Sequence, residues 1–410
     1  MADLFVKKFG MINPFVIASS PATQGAANLL KSAASRPGAL VLRNFGHGSG
    51  GGSFVYPDMQ AMYRGEACHS HAVGTQVPDT VTTLEQYAEE VRKIKRSLDS
   101  DIKLWVSVGH YSDVVKGGAW ENEWVRQAHE LVLAGADALE LHFNTPGVAV
   151  AKDRTFNYYQ LVAYTCRLIH AAVPSTPIMV KLAIEGCDAL TTMRSLEGCG
   201  AFAVGPTARW KGFLFDLDWK TSPARPGSGY GGTQATPIIC HTVAEARSKG
   251  ITYPMYAGGG VFSYKQALQI LMSGSEAVQV GALACSCGTG AVRRLISDVG
   301  RWMDENGYAD MDSLCGAALP LFTMDKKTAD LRTLRLGTAY RNTPVDSEKC
   351  IGCGRCTEVC WHDAIHLEGK KAVKGSNCIG CGYCYGVCPV HALSVDVGGI
   401  LKAAYDEAGA

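Results

Sequence analysis

The chain has 410 residues, 39 Lys+Arg against 38 Asp+Glu for a formal charge of +1, and 16 cysteines; at about 150 residues per domain it holds two or three domains, or one barrel of about 250 residues with a second module. The balanced charge, with no Lys/Arg-rich run, argues against nucleic acid or a polybasic membrane surface as partner. No apolar stretch approaches the ~20 residues that cross a bilayer, and residues 1–10 carry Asp3 and two lysines with no cleavable apolar segment behind them, so the chain reads as cytosolic.

Short β-rich runs recur at 15–18, 39–43, 104–108, 138–143, 178–183, 201–204, 255–257 and 277–280. Helical patterns lie between them, as at 83–98 and 123–134, where Leu84, Tyr87, Val91 and Ile94 keep three- and four-residue spacing. The βαβα alternation predicts a parallel sheet, and eight runs are the number that a (β/α)8 TIM barrel of the α/β class needs. A doubly wound sheet would alternate likewise, but the Gly-rich strand ends sit late in the chain, where barrels keep phosphate sites. Lys181 stands alone in the apolar run 178–183, and such a lysine needs an anionic partner: a structural carboxylate, or the pyrimidine end of a reduced flavin. Ala257-Gly258-Gly259-Gly260 after the seventh run and Gly281-Ala282 after the eighth fall where barrels commonly bind phosphate through backbone N–H groups. The loops 47–53 and 149–157 are candidate lids. The chain then divides into a barrel at 1–310, a helical linker at 311–340, a Cys-rich module at 341–400 and a tail at 401–410.

The module has too few aliphatic residues for an ordinary core and is expected to be held by metal centres. Its cysteines form two runs, Cys350-x2-Cys353-x2-Cys356-x3-Cys360 and Cys378-x2-Cys381-x2-Cys384-x3-Cys388-Pro389. This is the spacing of bacterial two-cluster ferredoxins, in which the fourth Cys of each run ligates the other [4Fe-4S] cluster. One cluster then takes Cys350, Cys353, Cys356 and Cys388, and the other Cys378, Cys381, Cys384 and Cys360. Trp361 stands where the pattern usually has proline, without removing a ligand. Zinc is the weaker alternative, because its motifs come as separated C-x2-C pairs. The other eight cysteines are scattered and read as small buried hydrophobes.

Asn13-Pro14-Phe15 with Ser19-Ser20-Pro21, Lys181, Ser228-Gly229-Tyr230 with Gly232, 257–260 and the C-terminal ferredoxin module together resemble the FMN- and iron–sulfur-containing subunit of dihydropyrimidine dehydrogenase, in the dihydroorotate dehydrogenase superfamily. The resemblance implies FMN at the barrel mouth, with Ala18 and Ser19 beside the flavin, Lys181 at its N1/O2 edge, and Gly229, Gly259, Gly260, Gly281 and Ala282 around the phosphate. It also implies electron supply from a separate NAD(P)H-oxidising flavoprotein subunit or a ferredoxin. A homo-oligomer is expected.

The likeness fails at the substrate positions. Where the family's fourth strand ends Asn-x-Ser-Cys-Pro, this chain has His142-Phe143-Asn144-Thr145-Pro146; a base-binding Asn-Thr pair corresponds to Pro206-Thr207; and the flavin-facing lysine of strand two corresponds to Arg43. Thr145 occupies the proton donor's position, but an alcohol is a weak acid. His142 titrates in the useful range and shares a strand face with Asn144; its other reading is a neutral core histidine. His110 is a second candidate acid. Arg43, His142, Asn144 and Thr207 form the expected substrate-binding set, and Arg43 with His142 favours an anionic or enolisable substrate.

The leading expectation is an FMN oxidoreductase reducing an electron-poor C=C bond of a small cyclic or conjugated substrate. The alternatives are dihydropyrimidine or dihydroorotate dehydrogenase itself, an FMN-dependent isomerase without net redox, and an electron-transfer subunit that has lost its chemistry.

Overall fold

Eight parallel strands close into a barrel in chain order: β1 (Phe15–Ile17), β2 (Ala39–Leu42), β3 (Lys103–Val108), β4 (Ala138–Phe143), β5 (Ile178–Ala183), β6 (Ala201–Thr207), β7 (Tyr256–Gly258) and β8 (Ala277–Val280), with β8 pairing back onto β1. Every expected β-rich run becomes one of these strands. They read as near-continuous apolar sequence because one face packs on helices and the other fills the barrel. The computed structural model describes residues 2–43, 64–65, 68–69, 83–109, 119–143, 157–208, 210–212 and 228–408.

A helix follows each strand: Gly25–Ala33, Leu84–Ser97, Trp120–Leu133, Tyr158–Ala172, Ala189–Ser195, Thr236–Ser248, Tyr264–Met272 and Ala282–Glu305. The second starts at a capping box in which the Thr83 hydroxyl accepts from the Gln86 amide, and it buries Leu84, Tyr87, Val91 and Ile94, the periodic face read from the sequence. The last is kinked at Gly288, whose φ of 74° is not helical.

Features without an apolar run were not foreseen. A turn closed by Val6 and Met11 places Phe9 under the barrel, 5.8 Å from both Trp105 and Phe202 by ring centroid, and Trp105 meets Tyr256 edge-on at 5.2 Å. Two short antiparallel ribbons lie outside the barrel sheet, Arg64–Gly65 with Cys68–His69 and Trp210–Gly212 with Ser228–Tyr230.

By internal contacts the chain divides at Met1–Phe322 and Thr323–Ala410. The division falls inside the span expected as linker. The Gly316 and Ala318 amides donate to the Leu271 and Met272 carbonyls and tie the first part to the barrel, whereas the helix Lys326–Asn342 packs against Val397–Ala408 in the second unit. That last helix runs through most of the span read as a tail, held by buried Ala404 and an ion pair between Arg335 and Glu407. The second unit also contains the hairpin β9 (Ile365–Glu368) and β10 (Lys371–Lys374). No described helix is long and apolar enough to cross a membrane.

Candidate cluster centres and active site

In the second unit each Cys run folds as a tight loop ending in one helical turn, Arg355–Glu358 or Tyr383–Gly386. The loops need glycine. Gly352 and Gly380 have φ of +70° and +79°, and a Cβ there would lie 2.2 Å from the Lys370 carbonyl oxygen and 2.1 Å from that of Gly337. The loops repeat one another down to Asp363 and His391, each three residues beyond a fourth Cys and each at positive φ.

Two cavities result. One, of about 390 Å³ including the space at its mouth, is lined by Cys360, Cys378, Cys381 and Cys384; the other, of about 350 Å³, by Cys350, Cys353, Cys356 and Cys388. Each draws three thiols from one run and the fourth from the other. Backbone N–H groups of Ala364, Ala372 and Ala392 donate to the sulfurs of Cys360, Cys350 and Cys388 at 3.2, 3.4 and 3.2 Å. Such donors favour the thiolate, and those of Ala372 and then Gly352 hold Cys350 below the ordinary thiol range. Burial pushes Cys356 and Cys384 up. The Lys374 ammonium at the first cavity donates to the carbonyls of Tyr340 and Thr343 at 2.7 and 2.6 Å and to the Tyr385 hydroxyl at 3.2 Å. Among the described residues no three His, Cys, Asp or Glu side chains converge on a single ion. Four thiols lining one cavity, three from one loop and one from the other, with N–H donors on the sulfurs, fit a cluster.

At the C-terminal end of the barrel, His142 of β4 lies in register with Lys181 of β5. Alternate residues share a face, so Glu140 sits one layer below His142. Lys181 is 3% exposed and Glu140 fully buried, while the His142 side chain keeps 23% exposure. The Ser107 hydroxyl lies 3.4 Å from Glu140 Oε1, His142 Nδ1 lies 3.9 Å from that oxygen, and Glu140 Oε2 has no hydrogen-bond partner among the described residues. Burial raises the Glu140 carboxyl pKa, against the charge of Lys181 and the Ser107 and Tyr256 hydroxyls. The Tyr256 and Tyr87 phenols, both buried near the carboxylate, are pushed well above their usual range and stay neutral. Gln279 Nε2 donates to the Tyr256 carbonyl at 2.8 Å and to the Thr207 hydroxyl at 3.4 Å.

Around this layer the strand ends carry the remaining expected residues. The Ala18 amide donates to the Val280 carbonyl at 3.0 Å, and a Cβ on Gly281 would lie 3.8 Å from that of Ala18, so the β1 end, with Ser19, adjoins the β8 end. Gly281 precedes the helix that Ala282 opens, with no side-chain cap on its amides. Thr236 Oγ1 donates to the Gly259 and Gly260 carbonyls at 3.1 and 3.3 Å. Gly260, at φ +73°, lies so near Gly232 that a Cβ would come 2.2 Å from its carbonyl oxygen. Arg43 donates to Gln24 Oε1 at 2.8 Å, and Gly229 pairs with Lys211 in the outer ribbon. Thr145, Asn144 and His110, with the loops 47–53 and 149–156, lie outside the described residues.

A phosphate-bearing flavin fits what is present. A buried lysine stands at the mouth, Gly259, Gly260 and Gly281 follow the β7 and β8 strands, the helix that Ala282 opens has no side-chain cap, and the Ser20 hydroxyl and both amide atoms of Gln234 are buried without a partner among the described residues. Sequence reasoning missed Glu140 and Gln234. Glu140 carried the signal used for Lys181, a charge in an apolar strand; Gln234 carried none.

Residues 343–395 match the 4Fe-4S dicluster domain family. The chain is 29% identical over 157 residues to the catalytic subunit of dihydroorotate dehydrogenase B (NAD(+)) of Trichlorobacter lovleyi, covering 38% of this chain and 50% of that protein. Against the NAD-dependent dihydropyrimidine dehydrogenase subunit PreA of Escherichia coli it is 24% identical over 272 residues, 62% of this chain and 63% of the relative. The chain thus spans half to just under two thirds of the length of these relatives. The dihydroorotate dehydrogenase B (NAD(+)) catalytic subunit of Thermoplasma acidophilum is matched over its whole length at 23% identity, covering 78% of this chain. In fold, the chain resembles a dihydroorotate dehydrogenase of Eimeria tenella solved with ferulenol, with a TM-score of 0.58 and 13% identity over 75% of this chain and 85% of that one.

Proposed function

We propose that this chain, a homologue of dihydroorotate and dihydropyrimidine dehydrogenase subunits with a fused 4Fe-4S dicluster domain, is an FMN- and iron–sulfur-dependent oxidoreductase that reduces an electron-poor C=C bond of a small anionic or enolisable substrate. Electrons come from an external NAD(P)H-oxidising flavoprotein or ferredoxin. The observation that carries the reading is the pairing of buried Lys181 with His142 at the mouth of a closed barrel.

FMN, when bound, supplies two-electron chemistry, and two [4Fe-4S] clusters supply single electrons. Lys181 holds the anionic edge of the flavin ring, Ala18 and Ser19 flank it, and Gly229, Gly259, Gly260, Gly281 and Ala282 admit the phosphate to backbone N–H groups. The eight cysteines of the two runs hold the clusters. His142, with Arg43, Asn144 and Thr207, receives the substrate, and His142 or Thr145 places a proton on the carbon beside the reduced one. His142 is the stronger acid, while Thr145 stands where the family's donor stands.

The protein prepared without oxygen is expected to contain about eight irons and one FMN per chain. Incubated with a donor system and a panel of conjugated carboxylates and enones, it is expected to yield a product two hydrogens heavier. Unchanged mass with rearranged substrate would assign an isomerase instead, and absence of flavin would overturn the reading. Uracil and thymine are expected to be poor substrates, by on the order of 10⁴, because the amide-matched partners are gone.

A further inference from the structure

We propose that Glu140 is a positioning residue for proton delivery: from the barrel interior it directs His142 Nδ1 inward and stabilises the imidazolium, so that the transferable proton sits on Nε2 at the mouth. This deepens the reading of His142 above and rests on it.

The argument is geometric. Glu140 and His142 project from the same face of β4, one layer apart, with Glu140 Oε1 3.9 Å from Nδ1. The carboxyl is fully buried and the imidazole partly exposed, so one end of the pair faces the interior and the other the pocket. A neutral imidazole has one N–H, and the negative oxygen beside Nδ1 favours keeping it there, which turns Nε2 away from the carboxylate. The Ser107 hydroxyl lies near Oε1, and Oε2 is buried with no hydrogen-bond partner among the described residues. A buried carboxylate costs stability unless opposite charge offsets it, and Lys181 and a protonated His142 are the cations beside Glu140.

The titratable and charged groups that interact with Glu140 among the described residues include Lys181 from β5, Tyr256 from β7 and Tyr87 from the helix Leu84–Ser97. Both phenols are neutral, so Lys181 is the charge that favours an ionised Glu140. With Lys181 committed to that role and to the flavin edge, His142 is the member of the layer left to carry a mobile proton. When a flavin-reduced substrate holds an electron pair on carbon, that pair forms the new C–H bond. The Nε2–H bond breaks, its electrons stay on nitrogen, and the remaining Nδ1–H faces Glu140. Water at the mouth then reprotonates Nε2.

The test is 15N-histidine NMR of the oxygen-free holoprotein across pH, with the His142 signals assigned by their loss in His142→Gln. Glu140→Gln is expected to lower the His142 titration midpoint by about one unit or more and to move the neutral form's proton toward Nε2, and the alkaline limb of substrate reduction is expected to shift with it. Glu140→Asp, which keeps the charge, is expected to hold the midpoint within about half a unit. An unchanged midpoint and tautomer in Glu140→Gln would overturn the proposal. Should that variant fail to fold, a wild-type His142 whose neutral form carries its proton on Nε2 overturns it alone. Because the spectra need no turnover, a shifted midpoint in a protein that reduces no C=C bond supports the role of Glu140 while rejecting the oxidoreductase reading.

Discussion

In the C-terminal unit every thiol of the two cavities lies between Cys350 and Cys388, and each loop is a copy of the other; in the barrel the candidate site is assembled from strand ends that run from Ala18 to Ala282. The buried apolar cluster of the second unit contains Cys350, Cys356, Ile365, Ala372, Ala392 and Leu393, and two of these are themselves cavity thiols. The barrel's core draws on all eight strands and the helices around them. A site built from one short segment leaves little side chain over for packing, whereas a site on a scaffold can be changed without unfolding it.

The hardest way to break the comparison is to remove iron. Chelation under oxidising conditions is expected to unfold the second unit completely, since metal binding supplies its folding free energy, while the barrel survives. Limited proteolysis should leave a fragment ending near Phe322, and equal resistance of both units would show a self-sufficient core. Next in size is Lys181→Met, expected to weaken FMN binding by about 10- to 100-fold, the worth of a charge-assisted hydrogen bond, with iron content unchanged. Flavin release followed by fluorescence reads it.

The same steric fault can then be placed in both units. Gly260→Ala forces a Cβ toward the Gly232 carbonyl, and Gly380→Ala forces one toward that of Gly337. Each is expected to cost about 2–3 kcal/mol. The first should appear as a lower melting temperature and lost flavin with full iron, the second as iron falling toward half with flavin retained. The smallest effect is expected from Trp361→Pro. Trp361 is 83% exposed, so restoring the usual proline should change stability by less than about 0.5 kcal/mol and leave the iron count alone, as metal analysis and thermal melts would show.

The legibility of the sequence follows the same division. The crossed grouping of thiols could be read from spacing, because ligands close together in a chain leave the loop few choices. All eight barrel strands were legible because a strand buried on both faces must be apolar. The ribbon Trp210–Gly212 with Ser228–Tyr230 was not, since its strands are too short to carry a pattern. The floor turn at Val6 and Met11 was hidden because it rests on one bridge. Within the site, Lys181 declared itself as a charge in an apolar run and His142 by standing where the resembled family has asparagine, while Glu140 met the first criterion in the run 138–143. Gln234 became visible only through burial, which depends on partners distant in sequence.

The aromatic floor of the barrel has a kinetic consequence. Phe9, Trp105, Phe202 and Tyr256 meet at tilted and edge-on angles toward the end opposite the mouth, so among the described residues that end is packed with aromatic rings. Solvent isotope is then expected to reach the buried Glu140 by way of the partly exposed His142, and a ligand seated on His142 to slow that exchange. A deuteron loaded before the ligand arrives is then expected to stay with the pair longer than one in free solvent, and label found in the product would measure that delay.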